Sequence, residues 1–141
     1  MNTVVGRPWS DRLKNPALAL LAIYWLCMFV GTHIPQHDLI LPEQISDKLI
    51  HAVAYAGLTV LLFLNWSLRT SLRWTHWLTV LLGVAAVGIF DELTQIPVGR
   101  QFDLVDWAAD IGGALIGSAI VAIPMVIHRR IGRGLPARGG R

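Results

Sequence analysis

Four stretches of the chain, 16 to 34, 48 to 68, 76 to 96 and 105 to 127, are each long and apolar enough to cross a bilayer as a helix. A hydrocarbon core of ~30 Å needs about 20 helical residues, and inside it every backbone N–H and C=O must be satisfied within the protein. Short polar or Pro/Gly-containing breaks separate the stretches, so the 141 residues predict one all-α membrane domain, an antiparallel bundle of four transmembrane helices. Composition agrees: 54% hydrophobic and 15% charged residues lie outside the balance of a water-soluble domain.

The ends of these stretches carry their own signals. Arg7, Arg12 and Lys14 precede the first like the basic region of a signal peptide. That stretch is too long for a signal-peptide core and lacks a small-x-small cleavage site, so it is expected to be retained. The third is expected to stop on Ile96, because Pro97 supplies no N–H to continue the helix. The fourth carries Gly112, Gly113 and Gly117, which allow neighbouring helices to approach closely. The single cysteine, Cys27, rules out an intramolecular disulfide and is expected to pack in the interior.

Charge sets an expected orientation. Of the Lys and Arg residues, three fall before the first helix, two between 69 and 73 and five after 127, against Lys48 and Arg100 on the other side. The positive-inside rule then puts residues 1–15, the 69–75 loop and the basic tail 128–141 in the cytoplasm, the tail without structure. Asp11 is the one inner acid; Asp38, Glu43, Asp47, Asp91, Glu92, Asp103, Asp106 and Asp110 fall at the outer end, giving formal charges of +9 inside and −6 outside. The basic pI of 9.6 therefore reports topology and gives no reason to expect nucleic acid. Trp9, Trp66, Trp74 and Trp77 map near the inner boundary and Trp107 near the outer, where amphipathic rings are favoured.

Polar residues within the spans are concentrated at one depth. Lys48, His51 and Tyr55 follow one another by three and four on the second helix, with Asp47 one turn before His51. Asp91, Glu92 and Gln95 occupy the last turns of the third, and Asp103, Asp106 and Asp110 the first turns of the fourth. Glu92 lies about four residues, or ~6 Å, below the end of its helix. An ionised acid at the centre of a membrane helix costs ~2.5–3.5 kcal/mol on insertion scales, so acids gathered here need a salt-bridge partner, a proton or a bound cation.

DKLIHAVAYAGL at 47–58 and DELTQIPVGRQFDLVDWAADIGGALIG at 91–117 resemble the VanZ-like family of bacterial integral membrane proteins, across the second to fourth helices. The resemblance carries the family's polar pattern onto Asp47, Lys48, His51, Tyr55, Glu92, Gln95, Arg100, Asp106, Gly113 and Gly117. Where the family often has Asn, four residues after the Asp of the last helix, this chain has Asp110, which adds a negative charge. The resemblance implies a place in the bacterial cytoplasmic membrane and a role in the cell envelope, the family being associated with glycopeptide resistance.

Several residues also have ordinary structural roles. Asp103 and Asp47 are placed to cap the fourth and second helices, and Arg100 to form a salt bridge with Glu92 or Asp106. Asp91 is expected to face the loop or a neighbouring helix. His33 and His37 flank Pro35, but their spacing defines no geometry.

Three functions fit the pattern. The first is an envelope factor binding a membrane lipid or lipid-linked precursor through an anionic headgroup held by Lys48, His51 and Arg100, with Asp47, Tyr55, Glu92, Gln95, Asp106 and Asp110 around them. The second is a membrane-embedded hydrolase or transferase with His51, Glu92 or Asp106 as general base, for which a divalent cation is an option and not a requirement. No HExxH or GxSxG run accompanies it. The third is a proton or ion carrier, which four helices without an internal repeat suit poorly unless the protein oligomerises.

Overall fold

The computed structural model describes residues 9–34 and 46–134. Among them the chain forms helices α1 (Trp9–Thr32), α2 (Asp47–Ser67), α3 (Trp74–Gln95) and α4 (Leu104–Gly134), with a short 3-10 turn, Ile96–Val98, between α3 and α4. All four helices are long and apolar enough to span a membrane. The protein is an all-α four-helix bundle. The expectations for His37, Asp38, Glu43 and the end of the basic tail concern residues outside those described.

Successive helices alternate in direction. Tyr24 donates to the Ala54 carbonyl at 2.9 Å and Asn65 to the Ala17 carbonyl at 2.8 Å, so α1 and α2 run antiparallel. Trp107 donates through Nε1 to the Ala85 carbonyl at 3.0 Å, and α3 and α4 are likewise antiparallel. The closest packing lies between α2 and α4, which run parallel. A methyl group on Gly113 would strike the Ala52 carbonyl, and one on Gly117 the Ala56 carbonyl with Thr59 at 3.0 Å, so glycine brings these two backbones together.

Inside and outside are reversed relative to a protein in water. Among the described residues, eleven polar or charged side chains are buried against seven apolar ones, while Leu20, Ile23, Leu82, Ile116 and Ile123 are at least half exposed. A surface of this kind is stable only against hydrocarbon. The apolar core, including Leu58, Phe63, Val80 and Val84, fills the middle of the bundle and the half remote from the polar residues. Phe63 and Trp77 pack there with ring centres 4.1 Å apart and planes tilted by 35°.

Several helix ends depart from the sequence expectation. Helix α1 begins at Trp9 and contains Pro16, because the basic segment before the apolar stretch stays helical. Helix α4 continues to Gly134 rather than ending at 127, since no glycine or proline interrupts 125–131 and basic residues suit a helix C-terminus. Ser46 caps α2, accepting from the Leu49 N–H at 3.2 Å, so Asp47 occupies the first turn and is not the cap. Asp103 does cap α4: its carboxylate accepts from the Val105 N–H at 2.8 Å. Cys27 is exposed on α1 rather than packed inside, where it borders a cavity between α1 and α2.

Candidate functional site

Helical spacing puts Lys48, His51 and Tyr55 on the face of α2 that meets α4, and Asp106 and Asp110 on the answering face of α4. Because the two helices are parallel and held close by glycine, the stripes pair in register. Lys48 donates to Asp106 at 3.0 Å and to Asp103 at 3.1 Å. One turn deeper, His51 Nδ1 lies 2.9 Å from Asp110 Oδ1, with both side chains almost wholly buried. Space for Asp110 comes from Gly88 on α3, where a methyl group would stand 2.8 Å from Oδ2.

Arg100 reaches its place by a backbone device. After the 3-10 turn, Gly99 adopts φ 83°, a left-handed conformation that favours glycine, and the Arg100 N–H bonds back to the Gln95 carbonyl at 3.3 Å. The side chain then points toward the beginning of α2 and the end of α1. Its Nη2 donates to Asp47 at 2.6 Å, and Nη1 donates to the carbonyls of Thr32 at 3.1 Å and Ile34 at 3.4 Å. The expected pairing of Arg100 with Glu92 or Asp106 is therefore wrong: the turn sets the guanidinium against Asp47 and the carbonyls at the end of α1.

Glu92 instead accepts the Asp103 N–H at 2.8 Å through Oε2, joining the end of α3 to the start of α4. Its Oε1 is buried without a hydrogen-bond partner among the described residues, as are the hydroxyl of Tyr55 and Oδ2 of Asp110. Gln95 serves Asp91, donating to it at 3.1 Å. Asp91 also accepts from Thr32 at 3.0 Å, and His33 lies beside it, Nδ1 3.7 Å from the carboxylate and Nε2 3.0 Å from Thr94 Oγ1. The neighbouring helix that the sequence allowed for Asp91 is thus α1, while the parts of Thr32, His33 and Gly88 were missed. His33 and Asp91 are ordinary in isolation; only the parallel packing of α1 on α3 brings them together.

The candidate residues consequently fall into two neighbouring groups. Asp47, Lys48, His51, Arg100, Asp103, Asp106 and Asp110 gather around the beginnings of α2 and α4. One ligating atom from each of Asp47, His51 and Asp106 lies within 4.8 Å of the other two. Asp91 and Gln95 belong with α1, and Glu92 and Tyr55 lie between the groups. The Asp103 carboxyl is held below the usual carboxylate range, first by the Val105 N–H and then by Lys48. Two cavities of about 300 Å³ adjoin the site: one bounded by Asp47, His51 and Arg100 with Met28, Ile34 and Ile50, the other by Arg100, Asp103 and Asp106.

The electrostatic balance differs from that of an anion receptor with free cations. Both Lys48 and Arg100 are already paired with carboxylates. Six acids at this end, Asp47, Asp91, Glu92, Asp103, Asp106 and Asp110, face those two permanent cations, a formal −4 with the histidines neutral. Such a site can bind a cation outright, or bind a phosphate through a cation or by exchange of a salt bridge. His51, fixed by Asp110 through one ring nitrogen, can also act through the other as a base. No family model, curated protein or solved structure matches this chain.

Proposed function

We propose that this integral membrane protein belongs with the VanZ-like proteins of the bacterial cytoplasmic membrane and binds the phosphate-bearing headgroup of a membrane lipid or lipid-linked envelope precursor at its outer face. The observation that carries this reading is the mixed character of the cavity between α1 and α2. One part of its wall is Asp47, His51 and Arg100; the rest includes Met28, Ile34, Ile50 and Ala54. A cavity polar at one part and apolar at the other, in a protein facing lipid, suits an amphiphile. Arg100 is the natural phosphate contact, since its planar fork can trade Asp47 for a phosphate without losing its two carbonyl anchors.

The His51–Asp110 pair supports a second reading, in which the headgroup is a substrate and His51 a general base oriented by a carboxylate. The two readings share a ligand and differ in turnover. Native mass spectrometry of the chain purified from its own membranes tests the shared part. A phospholipid or polyprenyl-phosphate adduct should be retained by the wild type and reduced at least tenfold in Arg100→Ala. A wild type without a phosphate-bearing adduct, or an adduct indifferent to Arg100, would overturn it.

A further inference from the structure

Three side chains at the polar end share one construction. Each has two polar atoms, and in each a neighbour holds one of them: Arg100 holds Asp47 Oδ2 at 2.6 Å, Lys48 holds Asp106 Oδ1 at 3.0 Å, and Asp110 holds His51 Nδ1 at 2.9 Å. The second atoms, Asp47 Oδ1, Asp106 Oδ2 and His51 Nε2, have no hydrogen-bond partner among the described residues. His51 is only 1% exposed, and its ring shares a cavity wall with Asp47. A buried imidazole with one nitrogen fixed and the other unpartnered, beside two carboxylates, points to a ligand.

We infer that Asp47, His51 and Asp106 form a binding site for one divalent transition-metal ion, Zn²⁺ or Mn²⁺, with Arg100, Lys48 and Asp110 orienting them from behind. One donor atom from each of the three residues lies within 4.8 Å of the other two, so the centre of that triangle is at most about 2.8 Å from each, and side-chain rotations of this scale bring the unpartnered atoms to the ~2.0–2.2 Å bonds of zinc to nitrogen and oxygen. An imidazole selects against magnesium and calcium, and two carboxylates select against copper(I), leaving the borderline ions. The His51–Asp110 bond is the arrangement by which metal-bound histidines are held, the carboxylate accepting from Nδ1–H and leaving Nε2 unprotonated for the metal.

A salt-bridge network alone accounts for less. Arg100 and Lys48 each engage one oxygen of Asp47 and of Asp106 and leave the other oxygen of each carboxylate without a partner among the described residues. Glu92 Oε1, buried nearby, likewise has no hydrogen-bond partner among the described residues. A divalent ion at the centre cancels half the formal −4. Three protein ligands leave coordination positions for water or an oxygen of another molecule. The site rests on its donor set and does not depend on the identity of the headgroup.

The full-length protein in detergent, stripped with a chelator and desalted, is to be titrated with Zn²⁺ and separately with Mn²⁺ by calorimetry, with bound metal measured by elemental analysis. About one ion per chain is expected for at least one of the two metals, with affinity falling at least 100-fold in Asp106→Asn and in His51→Gln and about 10–100-fold in Asp110→Asn. His76→Ala, at the opposite end of the bundle, should change nothing. Cobalt(II) should give a visible d–d spectrum in the wild type that His51→Gln abolishes. No stoichiometric binding of either metal by folded wild type overturns the inference, as does binding unaltered in Asp106→Asn. If His51→Gln fails to fold, Asp106→Asn and the wild-type titration decide.

Discussion

Arg100 joins three segments at once, and its worth is measured by what its loss would leave behind. The side chain is 5% exposed and its partner Asp47 is 23% exposed. Arg100→Ala would leave that carboxylate without its cation and two carbonyls without their donor. Truncating one member of a buried pair typically costs ~3–5 kcal/mol, much of it from the stranded charge. Asp47→Asn in the same chain should recover a substantial part of the loss, with a coupling of ~0.5–3 kcal/mol, whereas Glu92→Gln should add to Arg100→Ala without coupling. Unfolding in detergent measures both cycles; coupling to Glu92 instead of Asp47 would contradict the observed pairing. That Arg100 lies at the polar end was legible in the sequence. Its partner was not, because the choice is made by the left-handed turn at Gly99 and by which helix ends lie opposite. His51 and Asp110 were legible as candidates by spacing, but only the parallel packing of their helices makes them partners.

At the scale of elements, the parallel contact between α2 and α4 sets the depth at which every ionic pair meets. Gly113 lies under a backbone carbonyl of α2, which cannot rotate away as a side chain can. Gly113→Val should therefore force the helices apart, costing ~1–3 kcal/mol or more, and shift Lys48 and His51 out of register with Asp106 and Asp110. Gly112 has nothing within 4 Å of its missing side chain. Gly112→Ala should accordingly be neutral, or stabilising by up to ~1 kcal/mol through helix propensity. Thermal unfolding of the two variants in one detergent makes the comparison, and equal effects would mean the close approach is not what joins these helices. Glycines at 113 and 117 announced a close contact in the sequence. Which helix they contact was not announced, since in an alternating bundle an antiparallel sequence neighbour is the simpler expectation. The four spans themselves were readable to within a few residues, because backbone satisfaction in hydrocarbon leaves little choice. Their ends shifted most where charged residues continue a helix beyond the apolar stretch, before Pro16 and after 127.

For the whole molecule, the charges on its two ends predict which way the bundle faces. The polar end gathers six described acids and two permanent cations, while Arg69 and Arg73 mark the opposite end between α2 and α3. Arg69 is tied into that end, donating to the Asn65 side chain at 3.0 Å and to the Lys14 carbonyl at 3.2 Å. Lys and Arg near short loops resist translocation, whereas acids contribute little to orientation, so the basic end should remain in the cytoplasm. Phosphatase fused after residue 99 should then be active and after residue 72 inactive, with a fluorescent reporter at residue 72 and at the C-terminus giving the opposite pattern. Replacing Arg69 and Arg73 by Gln should weaken that bias and leave the polar end unaltered, because neither residue touches it. An active phosphatase at residue 72 in the wild type would reverse the bundle. The polar cavity would then open toward the cytoplasm, and an outer-leaflet headgroup could no longer be its ligand, although the Asp47–His51–Asp106 metal site would be unaffected.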